Sequence, residues 1–486
     1  MAYTNLCHGL AKDATASSSA RTPQRVSNQS ASNGLVLRAA RYNRARITSL
    51  APSVQMTLPS SSLLRAIVES EPSATASSSN GASLHHQPQQ LAHVPNLATA
   101  SVHAGERGPR PSYADSVTTP IVQTSTYTFK STAELIEFQE GRMKSFEYGR
   151  YGNPTAKACE EKIAALEGAE DCLVSASGMS SVTAMLLALC DPGSTIVTTS
   201  DCYWRTRQFM INFLPKLNIT VKIIPPNDFA GLQAALDCGN VSMFFSESPT
   251  NPYLRCVDVT KIAAACHAAG AVVCIDGTFS TPINQRAIGL GADLVLHSAT
   301  KYLAGHNDVL AGALAGSKEL VSKVRTLHHI MGGVIDAHAA YLLLRGLKTL
   351  DLRVRCQNES AMIIARRLEA HPKVDRVYYP GLPSHQDHAI ALKQMTGFGG
   401  VVSFEVRGGL WDCARVIDNV QLPYRAASLG GVESLIEMPA VQSYWSFGPE
   451  KRAEIGIKEN LVRYSVGVEG VEDIWADLEQ ALLTVD

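Results

Sequence analysis

Strand and helix patterns alternate between Ala156 and about Ala315 of this 486-residue chain. Short apolar runs, each followed by a longer stretch of helical periodicity, predict strands at Cys172–Ala176, Thr195–Thr199, Thr220–Ile224, Val241–Ser246 and Ala271–Ile275. Parallel strands need crossover helices, and those helices cover both faces of the sheet. The pattern therefore predicts an α/β fold whose central sheet is mostly parallel and lies between helices.

The last part of the chain has a different pattern. A single long helix is predicted from Asp336 to about Arg367, and short strands such as Val401–Val406 then mix with helices up to one near Asp473–Leu483. We therefore expect a large domain over residues 156–345 and a smaller α+β domain over residues 346–486.

The residues before the large domain fall into two segments. Residues 96–155 are loop-rich, with one predicted helix at Thr132–Glu140, and such a segment buries little of itself. We expect it to be an arm laid on another surface. Residues 1–95 are rich in Ser and hold eight basic but only three acidic residues. That composition is typical of an organelle transit peptide; a disordered regulatory tail is the alternative.

Composition excludes several classes of protein. The net charge is -1 without a basic block, and no apolar run is long enough to cross a bilayer, so we expect no nucleic-acid or membrane partner. The eleven cysteines are scattered, with no Cys-x-x-Cys, which argues against a disulfide framework or a metal site. The same scattered cysteine pattern favours a reducing compartment.

One lysine stands in an unusual position. The stretch Gly291–Gly312 reads GADLVLHSATKYLAGHNDVLAG, so an apolar run leads through Ser298 and Thr300 to Lys301 and a glycine-rich loop. A desolvated amine has a lowered pKa and suits imine chemistry, while hydroxyl groups suit a phosphate. Together they suggest a lysine joined to pyridoxal phosphate. An ordinary lysine at a strand end is the alternative, and for an isolated Ser-x-Thr-Lys it is the commoner one.

Other polar residues fall at the carboxyl ends of the predicted strands, where ligands bind in such sheets. Asp276 could keep a pyridine nitrogen protonated, or it could cap a turn. Gly178 opens a helix whose amino end could bind phosphate, or it is a plain turn. Tyr203 could stack on a flat ring, or pack in the core. Asn251 stands in a proline-rich turn and could meet the cofactor, or serve the turn alone.

Longer motifs point to a known family. The chain contains, in order, VHAG, TTPIVQTSTYTF, FEYGRYGNPT, SASGM, ESPTNP, CIDGTF and HSATKYLAGHNDVLAG, and then VYYPGLPSH, MTGFGGVVSFE, SLGGVES and NLVRYSVGVE. With these motifs it resembles the Cys/Met-metabolism enzymes of pyridoxal phosphate fold type I. The resemblance covers all of the chain except the tail, and it favours the cofactor-bearing role of Lys301 over the ordinary one.

The resemblance implies a role for each matching residue. The catalytic side chains would be Lys301, which binds the cofactor and shuttles protons, Asp276 at the pyridine nitrogen, Tyr203 on the ring, and Tyr148. The cofactor phosphate would be held by Gly178, Met179, Ser298 and Thr300, with Tyr148 and Arg150 reaching in from a neighbouring subunit. The substrate would meet Arg463, which receives the α-carboxylate, together with Ser428, Arg205 and Asn251, the last near the ring oxygen. No metal ion is implied.

Within the family, the motifs are most similar to a plant-type branch. Its members join cysteine to an activated homoserine ester to give cystathionine, a γ-replacement in methionine biosynthesis. The resemblance implies a homotetramer of dimers in the plastid stroma, although residues 1–95 do not match the regulatory region of that branch. A γ- or β-lyase of the same fold is the first alternative, and a non-catalytic cofactor-binding scaffold is the second.

The residues after Tyr203 separate synthase from lyase. Lyases of the family usually carry Gly-Gly there, whereas this chain has Trp204 and Arg205. A cation two residues past the stacking tyrosine suits an anionic leaving group, and phosphate especially, because a guanidinium binds phosphate by two parallel hydrogen bonds. O-phosphohomoserine is therefore the expected ester; an arginine on a helix surface with its head in water is the alternative.

Overall fold

A computed structural model describes residues 96–105 and 116–485. The predicted transit segment, residues 1–95, lies outside the described residues. The strands β1 to β12 are Asp171–Ser175, Thr195–Thr199, Thr220–Ile224, Val241–Glu247, Val272–Asp276, Leu294–His297, Gly312–Gly316, Val374–Tyr378, Val401–Val406, Tyr424–Arg425, Leu435–Glu437 and Leu461–Ser465. The helices α1 to α16 are Leu97–His103, Thr132–Gln139, Pro154–Glu167, Gly178–Leu189, Trp204–Asn212, Phe229–Asp237, Val259–Ala268, Thr281–Asn284, Lys318–Met331, Ala337–Lys348, Leu350–Glu369, His388–Gln394, Leu410–Asn419, Pro439–Gln442, Gly448–Glu454 and Val471–Leu482.

The first seven strands form one sheet in the order β1-β7-β6-β5-β4-β2-β3. Strands β2 to β6 pair in parallel, which confirms the predicted mostly parallel sheet. The exception is β7, which runs antiparallel to both β1 and β6 and was not predicted. Its sequence, GALAG, contains no β-branched or aromatic residue, so local propensity does not indicate a strand.

Alternate side chains of the large sheet enter two separate cores, because successive residues of a strand point to opposite faces. Met243 and Phe245 pack on one face, with residues of α4 and α9. Phe244 packs on the other face, with residues of α6 and α7. Strand β2 is buried along most of its length, whereas β3 is a partly exposed edge strand, and both begin and end where they were predicted.

The smaller sheet has the order β10-β11-β12-β9-β8, with antiparallel pairing except between β10 and β11. Strand β9 has the predicted bounds, Val401–Val406. The sheet and helices α11, α13 and α16 enclose their own apolar core, in which Phe404, Val462 and Tyr464 are fully buried. This arrangement confirms a smaller α+β unit, and the boundary at residue 345 stays a prediction.

The single helix predicted from Asp336 to about Arg367 is wrong. Two helices, α10 and α11, meet at Thr349, whose N–H and Oγ1 both donate to the Gly346 carbonyl at 3.2 Å. Nη2 of buried Arg353 donates to the same oxygen at 2.8 Å. These bonds occupy the carbonyl that would continue the helix. Arg353 also donates to the Tyr302 carbonyl at 2.8 Å, so the break ties α11 to the loop that carries Lys301.

The segment predicted as an arm is short of buried residues. Helix α2 confirms the helix predicted at Thr132–Glu140, and all of its residues are at least partly exposed. An isolated bridge joins Thr126 to Tyr148, and Gln123 donates to Asp336 at 2.9 Å.

Within the described ranges, no helix has both the length and the apolar character needed to cross a bilayer.

Candidate active site

A cavity of about 410 Å³ opens at the carboxyl ends of the large sheet's parallel strands. Eleven of the thirteen predicted site residues line it: Gly178, Met179, Tyr203, Arg205, Asn251, Asp276, Ser298, Thr300, Lys301, Ser428 and Arg463. They are far apart in sequence: most lie at the carboxyl edge of the parallel sheet, whereas Ser428 and Arg463 come from the smaller α+β unit. The two predicted residues that do not line it are Tyr148 and Arg150.

Lys301 follows β6 and is largely buried. Its Nζ donates to Oγ of Ser428 at 2.7 Å. Burial, helped by the nearby Arg463 cation and opposed by Glu437, lowers the pKa of Lys301 to about 8. A lysine of ordinary pKa is almost entirely protonated at neutral pH, but this one keeps an appreciable neutral fraction. A neutral amine can attack a carbonyl and can accept a proton.

Arg463, on β12, is the centre of a buried polar network. Its Nη1 donates to Asn251 Oδ1 at 3.0 Å, and its Nη2 donates to the Ser428 carbonyl at 2.9 Å. Ser428 has a φ of 97°, which is rare for a residue with a side chain. The Arg463 Nε is buried and, among the described residues, has no hydrogen-bond partner. An unsatisfied buried donor at a cavity is a natural contact for an anionic ligand.

Glu437, which sequence reasoning missed, neutralises Arg463. Its Oε1 lies 2.9 Å from Arg463 Nη2, and both side chains are less than a tenth exposed. The two residues face each other directly across β11 and β12. Burial raises the pKa of Glu437, and Arg463 and Lys301 oppose that shift. No short sequence motif indicates this pair, because the pairing depends on the register of two strands.

Asp276, at the end of β5, faces a second carboxylate that was also missed. Its Oδ1 accepts hydrogen bonds from Thr278 N–H at 2.9 Å and from Thr278 Oγ1 at 2.5 Å. Glu247 stands opposite Asp276 in the β4–β5 register. Burial raises the pKa of both carboxyl groups, and the charge of Asp276 raises that of Glu247 further. A cation placed here would be stabilised by both.

Glu247 also holds two predicted site residues in place. Its Oε1 accepts from the N–H of Tyr203, and its Oε2 accepts from the N–H of Asn251 at 3.1 Å. Glu247 opens the motif ESPTNP, so the signal for this residue was present in the sequence. The motif alone does not show that the carboxylate of Glu247 holds the loop that carries Tyr203.

The amino end of α4 forms the part of the cavity that fits a phosphate. Ser177 caps the helix by accepting from Ser180 N–H at 3.1 Å. A Cβ on Gly178 would lie 3.0 Å from Cα of Ser298, so only glycine allows this approach without a shift. The free N–H groups of a helix's first turn favour an anion. In this chain Thr300 Oγ1 donates to the Ala311 carbonyl at 3.2 Å, so its predicted phosphate contact stays a prediction.

Tyr203 and Arg205 stand at the mouth of the cavity. The Tyr203 side chain is 44% exposed, and Tyr203 is the N-cap residue of α5. Arg205 is exposed, and its Nη1 donates to Gln208 Oε1 at 2.7 Å. Both can therefore reach a ligand in the cavity without breaking a buried contact.

Tyr148 and Arg150 lie in a different part of the chain's surface. Nη1 of Arg150 donates to the His329 carbonyl at 2.5 Å, and its guanidinium lies 4.7 Å from the centre of the Tyr151 ring. Tyr148 is 41% exposed. Within the single chain these two residues are not brought to Lys301.

The donor set of the cavity fits pyridoxal phosphate. A lysine with a lowered pKa, a pair of buried carboxylates and the open amino end of a helix provide partners for its aldehyde, its ring nitrogen and its phosphate. By contrast, the described residues contain no group of three or more His, Cys, Asp or Glu side chains placed to hold a metal ion.

Known proteins are similar to this chain in sequence. Residues 98–483 match the family described as Cys/Met metabolism PLP-dependent enzyme. Cystathionine gamma-synthase 1, chloroplastic, of Arabidopsis thaliana is 60% identical over 382 residues, which cover 79% of this chain and 68% of that protein. A cystathionine beta-lyase of Lactococcus lactis subsp. cremoris is 42% identical over 390 residues, covering 80% of this chain and 99% of the lyase.

A solved structure extends the comparison to the fold. Cystathionine gamma synthase from Xanthomonas oryzae pv. oryzae, in complex with aminoacrylate and cysteine, superposes with a TM-score of 0.76 at 35% identity, covering 80% of this chain and 98% of that one. Fold, cavity and sequence similarity agree over the same residues. The chain belongs to the Cys/Met metabolism family of pyridoxal-phosphate-dependent enzymes.

Proposed function

We propose that the chain catalyses a γ-replacement that joins cysteine to an activated homoserine ester and gives cystathionine, a step of methionine biosynthesis. The observation that carries the proposal is the presence in one cavity of Lys301, whose pKa is lowered, and of a buried Arg463. The first can move protons, and the second can bind a carboxylate. The similarity to a plant cystathionine gamma-synthase supports the same activity.

The cavity residues have distinct roles toward the cofactor. Pyridoxal phosphate, when bound, supplies an electron sink for negative charge at the substrate carbon. Lys301 would hold it covalently, Asp276 would keep its ring nitrogen protonated, and Tyr203 would stack on the ring. The phosphate would lie among Gly178, Met179, Ser298 and Thr300. In this proposal residues 156–345 form the cofactor domain, and residues 346–486 supply part of the substrate site.

The remaining residues act on the substrate. Arg463 would bind the α-carboxylate, with Ser428 and Asn251 holding the guanidinium in place through the contacts described above. Nζ of Lys301 would remove the α-proton and then a β-proton. The ester group leaves the γ-carbon with its bonding electrons, and the cysteine sulfur then forms a bond to that carbon as its own proton is given up. The protein orients these groups and moves protons at Lys301.

The main competing function is a lyase that breaks a carbon–sulfur bond. Product analysis of the cofactor-loaded enzyme with a homoserine ester, in the presence and absence of cysteine, separates the two. The proposal expects cystathionine when cysteine is present. Cleavage of cystathionine that is faster than its formation would instead assign a lyase.

The leaving group is expected to be phosphate. Changing Arg205 to Ala should cost about 1.5–3 kcal/mol in kcat/KM with O-phosphohomoserine, the range for a hydrogen bond to a charged group. The physical reason is that Arg205 lines the cavity and that, among the described residues, its guanidinium hydrogen-bonds to the partly buried Gln208 alone. Steady-state kinetics with O-phosphohomoserine and O-succinylhomoserine measures the effect, and the succinyl ester should lose less.

A matched control for Arg205 is Gln208→Ala, which removes the partner of the arginine but keeps its charge. This variant should change kcat/KM by less than the arginine variant does. Equal losses for both esters in Arg205→Ala would mean that Arg205 supports the fold or the cofactor.

We propose that the active enzyme is a homotetramer of dimers with shared active sites. The support is that Tyr148 and Arg150 do not line the Lys301 cavity of their own chain, although their motif matches the family. Mixing inactive Tyr148→Phe/Arg150→Ala subunits with inactive Lys301→Ala subunits should restore some activity, because one hybrid site is intact. Light scattering verifies the hybrids, and no recovery in verified hybrids counts against sharing.

We propose that residues 1–95 direct the chain into the plastid stroma. The support is the acid-poor composition of this segment and the name chloroplastic of the Arabidopsis relative. A fluorescent protein fused behind residues 1–95 should enter plastids, as seen by microscopy. A fusion that remains in the cytosol would contradict the proposal.

A further inference from the structure

A second cavity, of about 290 Å³, shares no lining residue with the Lys301 cavity among the described residues. Helix α5 connects the two, because Arg205 and Thr206 line the first and Arg207 lines the second. The cavity also reaches β8, which carries Arg376, and the loop around Lys458. The proposed γ-replacement assigns no task to these residues.

The lining of this second cavity has an excess of positive charge. Its charged residues are Arg207, Arg255, Arg376, Lys458 and Asp201. Arg255 is neutralised by Asp387, with Nε and Oδ2 2.6 Å apart. Within the described residues, neither Arg376 nor Lys458 forms an ion pair. Three lining cations therefore face one lining acid, Asp201, and Glu405, which lies opposite Arg376 and accepts from Tyr378, is a further acid just outside the lining.

Asp201 does not change this balance near neutral pH. Burial raises its pKa to about 6, which leaves it mostly ionised at pH 7, with a single negative charge. The neighbouring Cys202 adds no charge, because burial raises the pKa of its thiol to about 12.

Arg207 has unused hydrogen-bond donors. Its Nε and Nη2 atoms are buried, and within the described part of the chain neither has a partner of good hydrogen-bond geometry, although the guanidinium also contacts the weak acceptor Cys202. These two atoms form one edge of the guanidinium, the edge that binds an oxyanion by two parallel hydrogen bonds. Buried donors are nearly always satisfied, so a missing partner here indicates a missing ligand.

We propose that this second cavity binds a small oxyanion of the phosphate class, held by the Nε and Nη2 edge of Arg207 and by the charges of Arg376 and Lys458. Phosphate carries about 1.5 to 2 negative charges near neutral pH, which complements the net positive lining. Pockets for drug-sized ligands measure about 300–1,000 Å³, so this cavity suits a small anion better than a nucleotide. Two residues of the cavity wall are joined, because Tyr253 OH accepts a hydrogen bond from the backbone N–H of Lys458 at 3.1 Å.

Equilibrium binding of inorganic phosphate to the cofactor-loaded enzyme tests the proposal. All variants carry Arg205→Gln, which weakens phosphate binding in the Lys301 cavity. Adding Arg376→Gln and Lys458→Gln should weaken the remaining phosphate site about tenfold or more. The matched control is Arg407→Gln, which removes an exposed arginine that pairs with Asp375 outside the cavity. It should change the affinity less than twofold.

Further measurements identify the ligand and check that each variant is folded. Glycerol 3-phosphate is the second probe: tighter binding than inorganic phosphate assigns a phosphomonoester, and weaker binding assigns free phosphate. Unchanged visible absorbance of the lysine-bound cofactor and an unchanged Tm show that a variant is folded. If Arg376→Gln/Lys458→Gln fails this check, Arg376→Gln alone is used and should weaken binding at least threefold.

Two results would overturn the proposal. One is equal phosphate affinity in the cavity variant and in Arg407→Gln. The other is a crystal structure of the cofactor-loaded enzyme, grown with phosphate, in which the anion occupies the Lys301 cavity alone or a carboxylate side chain fills the second cavity. Both outcomes are independent of whether the enzyme is a synthase or a lyase.

Discussion

Replacing Lys301 by Ala is expected to lower turnover at least ~10³-fold while the protein remains folded. The substitution removes the amine that would bind the cofactor and the base that would move protons. The fold should survive because the hydrogen bond that is lost is the one from Lys301 Nζ to Ser428. The buried acid Glu437 keeps its main partner, Arg463. Steady-state kinetics measures the loss, and circular dichroism and the Tm report the fold.

The control for Lys301 is Lys323→Ala. Lys323 is an exposed lysine paired with Glu319 on α9, and its removal should leave turnover unchanged. The cofactor supplies a second readout: Lys301→Ala should lack the visible absorbance of a lysine-bound cofactor and should release the cofactor on dialysis. Turnover within tenfold of the unsubstituted enzyme would contradict the assignment.

Much of the large sheet was predictable because strands such as β4 are buried on both faces. Strands β2 and β3 have the predicted bounds, β2 as a mostly buried strand and β3 as a partly exposed edge strand rich in β-branched residues. The antiparallel strand β7 was missed for the opposite reason, since GALAG has weak strand propensity and is held by pairing with β1 and β6. Tertiary pairing decided its conformation, and a single sequence does not contain that information.

The break between α10 and α11 shows the same limit. Helical periodicity continues through Thr349, so the sequence predicts one helix. What ends α10 is a set of hydrogen bonds to the Gly346 carbonyl, one of them from the side chain of Arg353. That arginine is buried because it also bonds to the Tyr302 carbonyl beside Lys301. The break is therefore a consequence of packing around the site rather than of local preference.

Predicted site residues that follow their own strands lie around one cavity, and their roles stay predictions. Asp276 ends its strand, Lys301 and Asn251 stand just beyond the ends of theirs, and the topology brings the three together. Glu437 was missed because its role depends on a cross-strand partner. Nothing near it in sequence indicates that β11 will lie against β12 with Glu437 opposite Arg463.

Replacing Arg463 by Ala is expected to damage both catalysis and stability. In catalysis, loss of the contact to the substrate carboxylate should cost on the order of 3 kcal/mol in kcat/KM, about a hundredfold. In stability, the free energy of unfolding should fall by about 3–5 kcal/mol, because Glu437 is left as an unpaired buried charge. Kinetics and chemical denaturation measure the two effects. The stability deficit should shrink on acidification, because a protonated Glu437 needs no counter-charge.

A double variant separates these two effects. Arg463→Ala/Glu437→Gln removes the stranded charge, so it should recover most of the lost stability and none of the lost kcat/KM. Glu437→Gln alone keeps an acceptor for Arg463 Nη2, but removes the negative charge that opposes the lowered pKa of Lys301. Catalysis restored by the second substitution would mean that the glutamate, and not the missing arginine, blocked the site. Arg463 would then be a structural partner of Glu437, and the substrate carboxylate would be bound by another residue.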